Sequence, residues 1–379
     1  MQFQWRLQSS VLIVILDGDK HSIQLLKPLF SGEEFLFIES SKVFFIMTPI
    51  LAVRSFWYFL FSGSLKIAYT AAFLSIIKPK IVVTFIDNSY TFQGVARLMH
   101  DSIRFLAIQN GARMLSRDAP PGSKRIFHSE FACFGEYDIS QFKKSGAKVL
   151  YFYPVGSLKD SYYQSIRESL PFRKQYDLCL VSQIKPQHYK QYPKTMKSLE
   201  LLANHLKRFC DTHNTSLCVA ARRQPGNNNK LYDWEVEWYQ RHLGDHINII
   251  PNDSPTYNSY SIVDASRVTL ALHSTMIHEA FGRGRRLLAC NFTGDDRYEF
   301  PINGIWRLSD SSYEDFEISL LRLLNISDKD YSELAGKLTK YLIGYDREYP
   351  THIFLKELIA EAVSGLPAPF TTPRIEGKA

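Results

Sequence analysis

Short apolar runs separated by longer mixed segments dominate the first 156 residues. Each run ends in polar or turn-forming residues, and the runs are Val11–Leu16, Phe35–Glu39, Ile81–Ile86, Leu106–Gln109, Phe131–Phe134 and Leu150–Tyr153. The segments between them are long enough for helices. Continuous apolar runs alternating with helices are typical of parallel strands covered on both faces. The pattern therefore predicts an α/β domain over residues 1–156.

The same alternation restarts after a polar stretch, Ser157–Tyr176, which has the composition of a linker. We expect further strands at Leu178–Val181, Leu217–Ala221, Ile247–Ile250, Ser261–Asp264, Thr269–Leu272 and Leu287–Cys290. Helices are expected at about Pro193–His213, Asp233–His242, Glu314–Leu324, Ser327–Gly344 and Thr351–Ser364.

Two successive α/β patterns predict two Rossmann-like domains facing across a cleft. The expected boundaries are residues 1–156 for the first domain, 157–176 for a linker and 177–345 for the second domain. Residues 346–365 are expected to form a C-terminal helix, and 366–379 a disordered tail. A chain of 379 residues is long enough for two domains.

The charge balance bears on the kind of ligand. A net charge of +7 and an isoelectric point near 9.0 favour anionic partners. Lys and Arg are dispersed and the aromatic residues lie mainly in apolar runs, which argues against a nucleic-acid-binding protein. The five cysteines are scattered without a C-x-x-C pair, so the sequence favours neither a zinc site nor a disulfide framework.

The segment Phe44–Phe61 is rich in aromatic and aliphatic residues, but Arg54 interrupts it. A membrane span needs roughly 20 nearly uncharged residues, so we expect a buried or interfacial helix here. The N-terminus lacks the features of a secretory leader. We therefore expect a cytoplasmic protein, with peripheral contact to an anionic membrane at its inner face.

The segment Leu270–Asn291 carries the clearest candidate site. An apolar strand runs into the turn His273-Ser274-Thr275, a helix follows with Glu279 one turn in, and a second strand begins at Arg286. A helix N-terminus at a strand end offers unpaired N–H groups and a positive dipole end, which suit a phosphate or diphosphate. Glu279 is placed to accept hydrogen bonds from ribose hydroxyls. The alternative is a plain helix cap with a solvated glutamate.

Polar residues after other strands of the second domain are further candidates, because ligands bind at the carboxyl ends of parallel strands. Arg222 and Arg223 are candidates to neutralise a diphosphate, and Ser182 and Gln183 to reach the nucleotide. The loop after Asn291 contains the adjacent acids Asp295 and Asp296. Each group is also compatible with an ordinary turn or a solvated loop.

In the first domain, carboxylates near strand ends are candidates for proton transfer. Asp87 follows a strand and is the first candidate base, Glu136 is the second and Asp17 the third. Asn88, Asn110 and Arg113 are further polar residues that follow strands of this domain. Caps and turns are the structural alternatives for these residues.

The helix motif H-S-T-M-I-H-E-A-F-G-R-G-R-R-L-L resembles the nucleotide-sugar half-site of GT-B glycosyltransferases. Together with F-I-D-N, A-I-Q-N-G-A-R and F-P-I-N-G-I-W, the chain resembles bacterial surface-carbohydrate biosynthesis proteins over Val11–Tyr341. The resemblance implies that Ser274 and Thr275 contact a diphosphate, that Glu279 meets the ribose and that His273 donates to a phosphate oxygen. It also implies that Asp295 and Asp296 contact the donor sugar and that the first domain supplies the acceptor site and the catalytic base. Asn88, Asn110 and Arg113 would then be sugar or acceptor contacts. The resemblance further implies a metal-independent enzyme without a cofactor.

The implied function is transfer of a sugar from a nucleotide donor to a capsule, O-antigen or lipid-linked glycan acceptor. A CDP-polyol phosphotransferase of teichoic-acid type, a CMP-sugar (Kdo-like) transferase and a sugar-nucleotide epimerase remain alternatives. A catalytically inactive scaffold is the alternative from a different class. The donor sugar, the base, the acceptor, the stereochemistry and the oligomeric state stay open.

Overall fold

The structure is a computed structural model of the 379-residue chain. It describes residues 11–39, 48–113, 126–167, 176–226, 230–252, 257–346, 348–366 and 375–377. The N-terminal part of the apolar segment, residues 44–47, and most of the expected tail lie outside the described residues.

Thirteen strands are formed by the described residues. In chain order they are β1 (Ile13–Leu16), β2 (Phe35–Ile38), β3 (Ile81–Thr84), β4 (Arg104–Ile108), β5 (Phe127–Cys133), β6 (Lys148–Pro154), β7 (Tyr176–Val181), β8 (Leu217–Ala220), β9 (Asn248–Ile250), β10 (Ser266–Ala271), β11 (Leu287–Cys290), β12 (Arg307–Leu308) and β13 (Ile375–Glu376).

Fourteen α-helices occur in the same described part of the chain. They are α1 (Lys20–Leu26), α2 (Pro49–Ser62), α3 (Leu65–Ile77), α4 (Tyr90–Met99), α5 (Glu136–Lys144), α6 (Leu158–Arg167), α7 (His188–Gln191), α8 (Pro193–His213), α9 (Lys230–Leu243), α10 (Asn258–Asp264), α11 (Thr275–Gly282), α12 (Tyr313–Asn325), α13 (Asp328–Leu342) and α14 (Thr351–Ser364). Short 3₁₀ helices lie at Lys27–Phe30 and Asp296–Tyr298.

The first sheet has the strand order β13-β6-β5-β4-β3-β1-β2. All pairs are parallel except β13, which pairs antiparallel with β6. The strands β1 and β3 are buried along their whole length, as both faces are covered. Apolar residues of α3 and α4 pack on this sheet; Phe92 and Phe105, for example, are fully buried with ring centroids 5.7 Å apart.

The second sheet has the order β12-β11-β10-β7-β8-β9, and every pair is parallel. Its central strands β10, β7 and β8 are neighbours, so the loops that follow them leave the same edge of the sheet. The prediction of an α/β protein with two parallel sheets is confirmed.

The chain divides into two compact units, and the first of them is discontinuous. The first unit comprises Met1–Ser161 and Ile343–Ala379, and the second comprises Tyr162–Leu342. The expected separate C-terminal helix, α14, is part of the first unit: the Phe354 ring packs at a tilt against that of Tyr153 with centroids 5.5 Å apart, and the Thr351 hydroxyl donates to the Val155 carbonyl.

Within the expected linker 157–176, residues Leu158–Arg167 form a regular helix. Two sequence-based expectations are corrected. Within the expected disordered tail, Ile375–Glu376 form a strand on the edge of β6, where backbone groups of β6 find partners. The expected strand Ser261–Asp264 is the end of helix α10, because so short an apolar run fits the buried face of a helix equally well.

The apolar segment expected as a buried or interfacial helix forms α2 from Pro49 onwards. Thr48 caps its N-terminus by accepting a hydrogen bond from the Leu51 N–H, and Gly63 ends it in a left-handed conformation. Among the described residues, we find no helix whose length and apolar character would suffice to cross a bilayer.

Candidate functional site

The side chain of Gln183 connects two strand ends of the second sheet. Gln183 follows β7, and its Oε1 accepts hydrogen bonds from the backbone N–H groups of Leu272 (2.9 Å) and His273 (3.0 Å), which follow β10. These N–H groups belong to the turn that leads into α11. Gln183 therefore holds the start of α11 in place from the neighbouring strand.

The N-terminus of α11 is capped by Ser274, whose hydroxyl accepts from the Met276 N–H at 3.3 Å. Thr275 is the first helical residue. The plain capping role considered for Ser274 is thus present, and it is compatible with an anion at the same helix end. Burial lowers the pKa of His273. A neutral imidazole at this position still has one N–H to donate.

His278 lies behind the turn, with its ring 5.8 Å from that of His273. Burial, aided by the proximity of His273, lowers the pKa of His278 to about 3. The side chain is therefore neutral at physiological pH, and its packing edge-on against Phe300 gives it a structural role.

A buried glutamate that the sequence analysis did not single out organises the ends of β7 and β8. Glu235 on α9 is fully buried and accepts from the Ser182 hydroxyl, from the Arg222 N–H (2.9 Å) and from the Arg223 guanidinium (3.1 Å). Ser182 and Arg223 thus have structural partners in this structure. The signal was present in the sequence: Glu235, Trp238 and Tyr239 share the inward face of an amphipathic helix.

Positive charge accumulates at the same edge of the sheet. Lys185, Arg222 and Arg223 are close enough to influence each other: burial and the two arginines lower the pKa of Lys185. Burial and these three cations also lower the pKa of His188, whose buried Nδ1 has no hydrogen-bond partner among the described residues. Since Glu235 supplies one negative charge against three cations, this edge favours an anion. We call Lys185, Arg222 and Arg223 the cationic cluster.

Glu279 is buried rather than solvated. It is 1% exposed, and its Oε2 accepts a hydrogen bond from the Tyr260 hydroxyl at 2.9 Å. Tyr260 on α10 was not among the sequence-derived candidates. If Glu279 contacts a ribose, its carboxylate must therefore accept from the ribose in addition to Tyr260, or the hydrogen bond from Tyr260 must break.

The loop after β11 is held together by its own side chains. The Asn291 amide donates to the Asp295 carbonyl (3.0 Å) and to Glu299 (2.8 Å). Asp295 caps the following 3₁₀ helix and binds the Arg297 guanidinium, which lowers the pKa of Asp295. Asp296 is exposed. Tyr298 of this loop lies 6.3 Å from His273, ring to ring, so the loop borders the α11 turn.

In the first unit, Asp87 forms a buried ion pair. Its two carboxylate oxygens accept from the Nε (2.7 Å) and Nη2 of Arg113, and Arg113 also donates to the Asn110 side chain at 2.8 Å. Three predicted residues, which follow two different strands, are thus brought together. Asn88 is exposed beside them, and Asp17 accepts from the Ser89 hydroxyl. Both oxygens of the Asp87 carboxylate are therefore occupied by hydrogen bonds from Arg113.

Two further carboxylates of this unit lie at the start of α5. Glu136 is exposed in the first turn, whereas Asp138 is buried and accepts from the Gln109 amide at 2.9 Å. Burial raises the pKa of Asp138 to about 7, and the nearby Asp87 charge adds to the rise. Asp138 was overlooked because its motif, F-G-E-Y-D, does not tell which acid points inward.

Comparison with solved structures identifies the fold. UDP-GlcNAc 2-epimerase from Neisseria meningitidis, bound to UDP-GlcNAc, is 12% identical with a TM-score of 0.51, covering 93% of this chain and 100% of that one. The wall teichoic acid polymerase TagF (H444N, soaked with CDPG) is 10% identical with a TM-score of 0.52, covering 94% and 90%. The two-sheet architecture is therefore a GT-B-like fold.

A family model described as "putative O-antigen biosynthesis protein" matches residues 166–359, just over half of the chain. The protein belongs to this family. The search of curated proteins gave no match.

Proposed function

We propose that the protein is a GT-B glycosyltransferase of O-antigen biosynthesis, which takes a sugar from a nucleotide donor bound by the second unit. The proposal rests on one observation: Gln183 and Glu235 connect the ends of β7, β8 and β10 beside the cationic cluster. Such an arrangement offers fixed donors and surplus positive charge at one sheet edge. Both are needed by a departing nucleoside diphosphate, whose negative charge grows as the bond to the sugar breaks.

Within this site, Arg222 is the residue best suited to neutralise the diphosphate. Its side chain is exposed, whereas Arg223 is engaged by Glu235. The N-terminus of α11 and the His273 ring supply further donors, as the resemblance to GT-B enzymes suggests. Glu279, oriented by Tyr260, is proposed as the ribose contact, and Asp295 and Asp296 as contacts of the sugar.

For the catalytic base we propose Glu136 rather than Asp87. A general base must reach the acceptor hydroxyl and must be free to take its proton. Glu136 is exposed in the first turn of α5, while both oxygens of Asp87 accept hydrogen bonds from Arg113. In this proposal the Asp87–Arg113 pair positions the neighbouring loops, including Asn88 and Asn110, for acceptor binding.

The donor assignment is tested by thermal unfolding with UDP, GDP, CDP, CMP, ADP and dTDP. A nucleotide at 100 times its dissociation constant should stabilise the protein by roughly 2.7 kcal/mol. Arg222→Ala should remove this stabilisation, and Arg322→Ala, an exposed arginine on α12, serves as the matched control. Absence of stabilisation by every nucleotide would refute the donor site.

Nucleotide-sugar epimerisation is the second candidate, favoured by the full coverage of the Neisseria meningitidis epimerase chain. The two functions differ in their need for an acceptor. A transferase consumes the nucleotide sugar rapidly only when a glycan acceptor is added, and an epimerase converts it to its epimer without one. Analysis of products with and without acceptor distinguishes them, and Glu136→Gln should abolish transfer while the nucleotide still stabilises the protein.

A further inference from the structure

Helix α2 presents a continuous apolar stripe to the outside. The exposed side chains follow helical spacing, and they are Ile50, Val53, Phe56, Trp57, Leu60 and Phe61. Val53 is 70% exposed and Trp57 60%, while Leu51 is the one buried residue of the helix. Scattered exposed apolar residues are normal, but a contiguous stripe of this size marks an interaction surface.

The inner face of α2 is mixed. Leu51 is buried there, Arg54 Nη1 donates to the carbonyl and to the hydroxyl of Ser75 on α3, both at 2.9 Å, and the Ser55 hydroxyl is buried. A helix on a water-exposed surface turns a polar face outward. The apolar outer face of α2 therefore fits apolar surroundings on that side.

The charges near the stripe indicate which kind of apolar surroundings fits α2. Residues 48–86 contain no Asp or Glu and four basic residues: Arg54, Lys66, Lys78 and Lys80. Lys66 and Lys78, at the two ends of α3, are exposed. On α4, exposed Tyr90 and Arg97 line a cavity that also includes Phe61. Interfacial aromatic residues with flanking cations are typical of a surface that lies in an anionic bilayer.

We infer that the α2 stripe inserts into the surface of a lipid bilayer that carries anionic headgroups. The apolar side chains enter the acyl region, and Lys66, Lys78 and Arg97 lie at the level of the phosphates. A protein partner fits this surface less well, because protein interfaces are ringed by polar groups that make specific hydrogen bonds. The inference does not depend on the proposed transferase activity.

Flotation of the purified full chain with vesicles tests the inference. We expect binding to phosphatidylcholine vesicles that contain phosphatidylglycerol, and binding at least tenfold weaker to phosphatidylcholine alone. The triple variant Val53→Ser, Trp57→Ser, Leu60→Ser should lose at least tenfold in affinity. All three side chains are exposed, and circular dichroism checks that the fold is kept.

The matched control replaces three exposed apolar residues of the second unit, Leu231→Ser, Ile318→Ser and Leu334→Ser, and should bind as the parent protein does. Brominated acyl chains should quench the fluorescence of Trp57, and Trp57→Phe should remove that quenching while keeping flotation. Equal flotation of the triple variant, or no flotation of the parent, overturns the inference. Self-association that the triple variant abolishes, without vesicle binding, would assign the stripe to a second copy and also overturn it.

Discussion

Replacement of Asp138 by Asn should change how the stability of the protein depends on pH. Burial raises the pKa of Asp138 from 3.8 to about 7. The folded protein therefore keeps this proton up to near pH 7, whereas the unfolded chain releases it near pH 4. Because the folded state binds more protons between these values, the free energy of unfolding falls as pH rises through this window. Below pH 4 the side chain has no such effect, and above pH 7 the loss is complete.

The size of the effect follows from the two pKa values. At about 1.36 kcal/mol per pKa unit, the rise corresponds to about 4 kcal/mol. The amide introduced by the substitution does not titrate, and its oxygen can still accept from Gln109. Relative to the parent protein, the Asp138→Asn variant should thus gain up to about 4 kcal/mol of stability between pH 4.5 and pH 8.

Urea unfolding across this pH range measures the difference between the two proteins, in which contributions from the rest of the chain cancel. Glu136→Gln, an exposed acid two residues away on the same helix, is the control and should show no such trend. A gap between parent and Asp138→Asn that stays constant within about 1 kcal/mol from pH 4.5 to pH 8 would refute the assignment of Asp138 as a buried, protonated acid.

Two further predictions concern the candidate donor site. Gln183→Leu leaves the N–H groups of Leu272 and His273 without their acceptor, which should lower the free energy of unfolding by about 1–3 kcal/mol for each group. Gln183→Glu should keep the stability but weaken nucleotide binding, because its charge is negative. Thermal unfolding with and without nucleotide measures both effects. Arg223→Gln should destabilise the protein by about 3 kcal/mol, because it leaves the buried Glu235 without its cation. Arg222 is exposed, so Arg222→Gln should change the stability by less than about 0.5 kcal/mol. Urea unfolding compares the two variants, and equal losses of stability would contradict this prediction.

The fold was largely predictable because parallel strands buried on both faces appear as apolar runs. The strand predicted at Ser261–Asp264 was wrong because a short apolar run fits the buried face of a helix as well as a strand. The return of α14 and β13 to the first sheet was not predictable, because pairing between Ile375 and Phe152 leaves no local pattern.

The strand-end rule, by which ligands bind at the carboxyl ends of parallel strands, was sufficient to name residues that the structure brings together at one edge, such as Gln183 and His273. It could not tell which of them have structural partners. The pairing of Asp87 with Arg113, 26 residues later, is a tertiary contact. Glu235 lies in mid-helix, where the rule does not look, and its importance follows from packing of α9 against the sheet.

The discontinuous first unit has a consequence for biosynthesis. When the ribosome has completed Leu342, the second unit is fully translated, but the first still lacks α14 and β13. At about 5–20 residues per second, this condition lasts a few seconds. During that time the outer edge of β6 and the apolar surface awaiting Phe354 are uncovered, which is a state prone to wrong association. A nascent chain of this protein should therefore be most dependent on chaperones between the translation of Leu342 and that of Glu376.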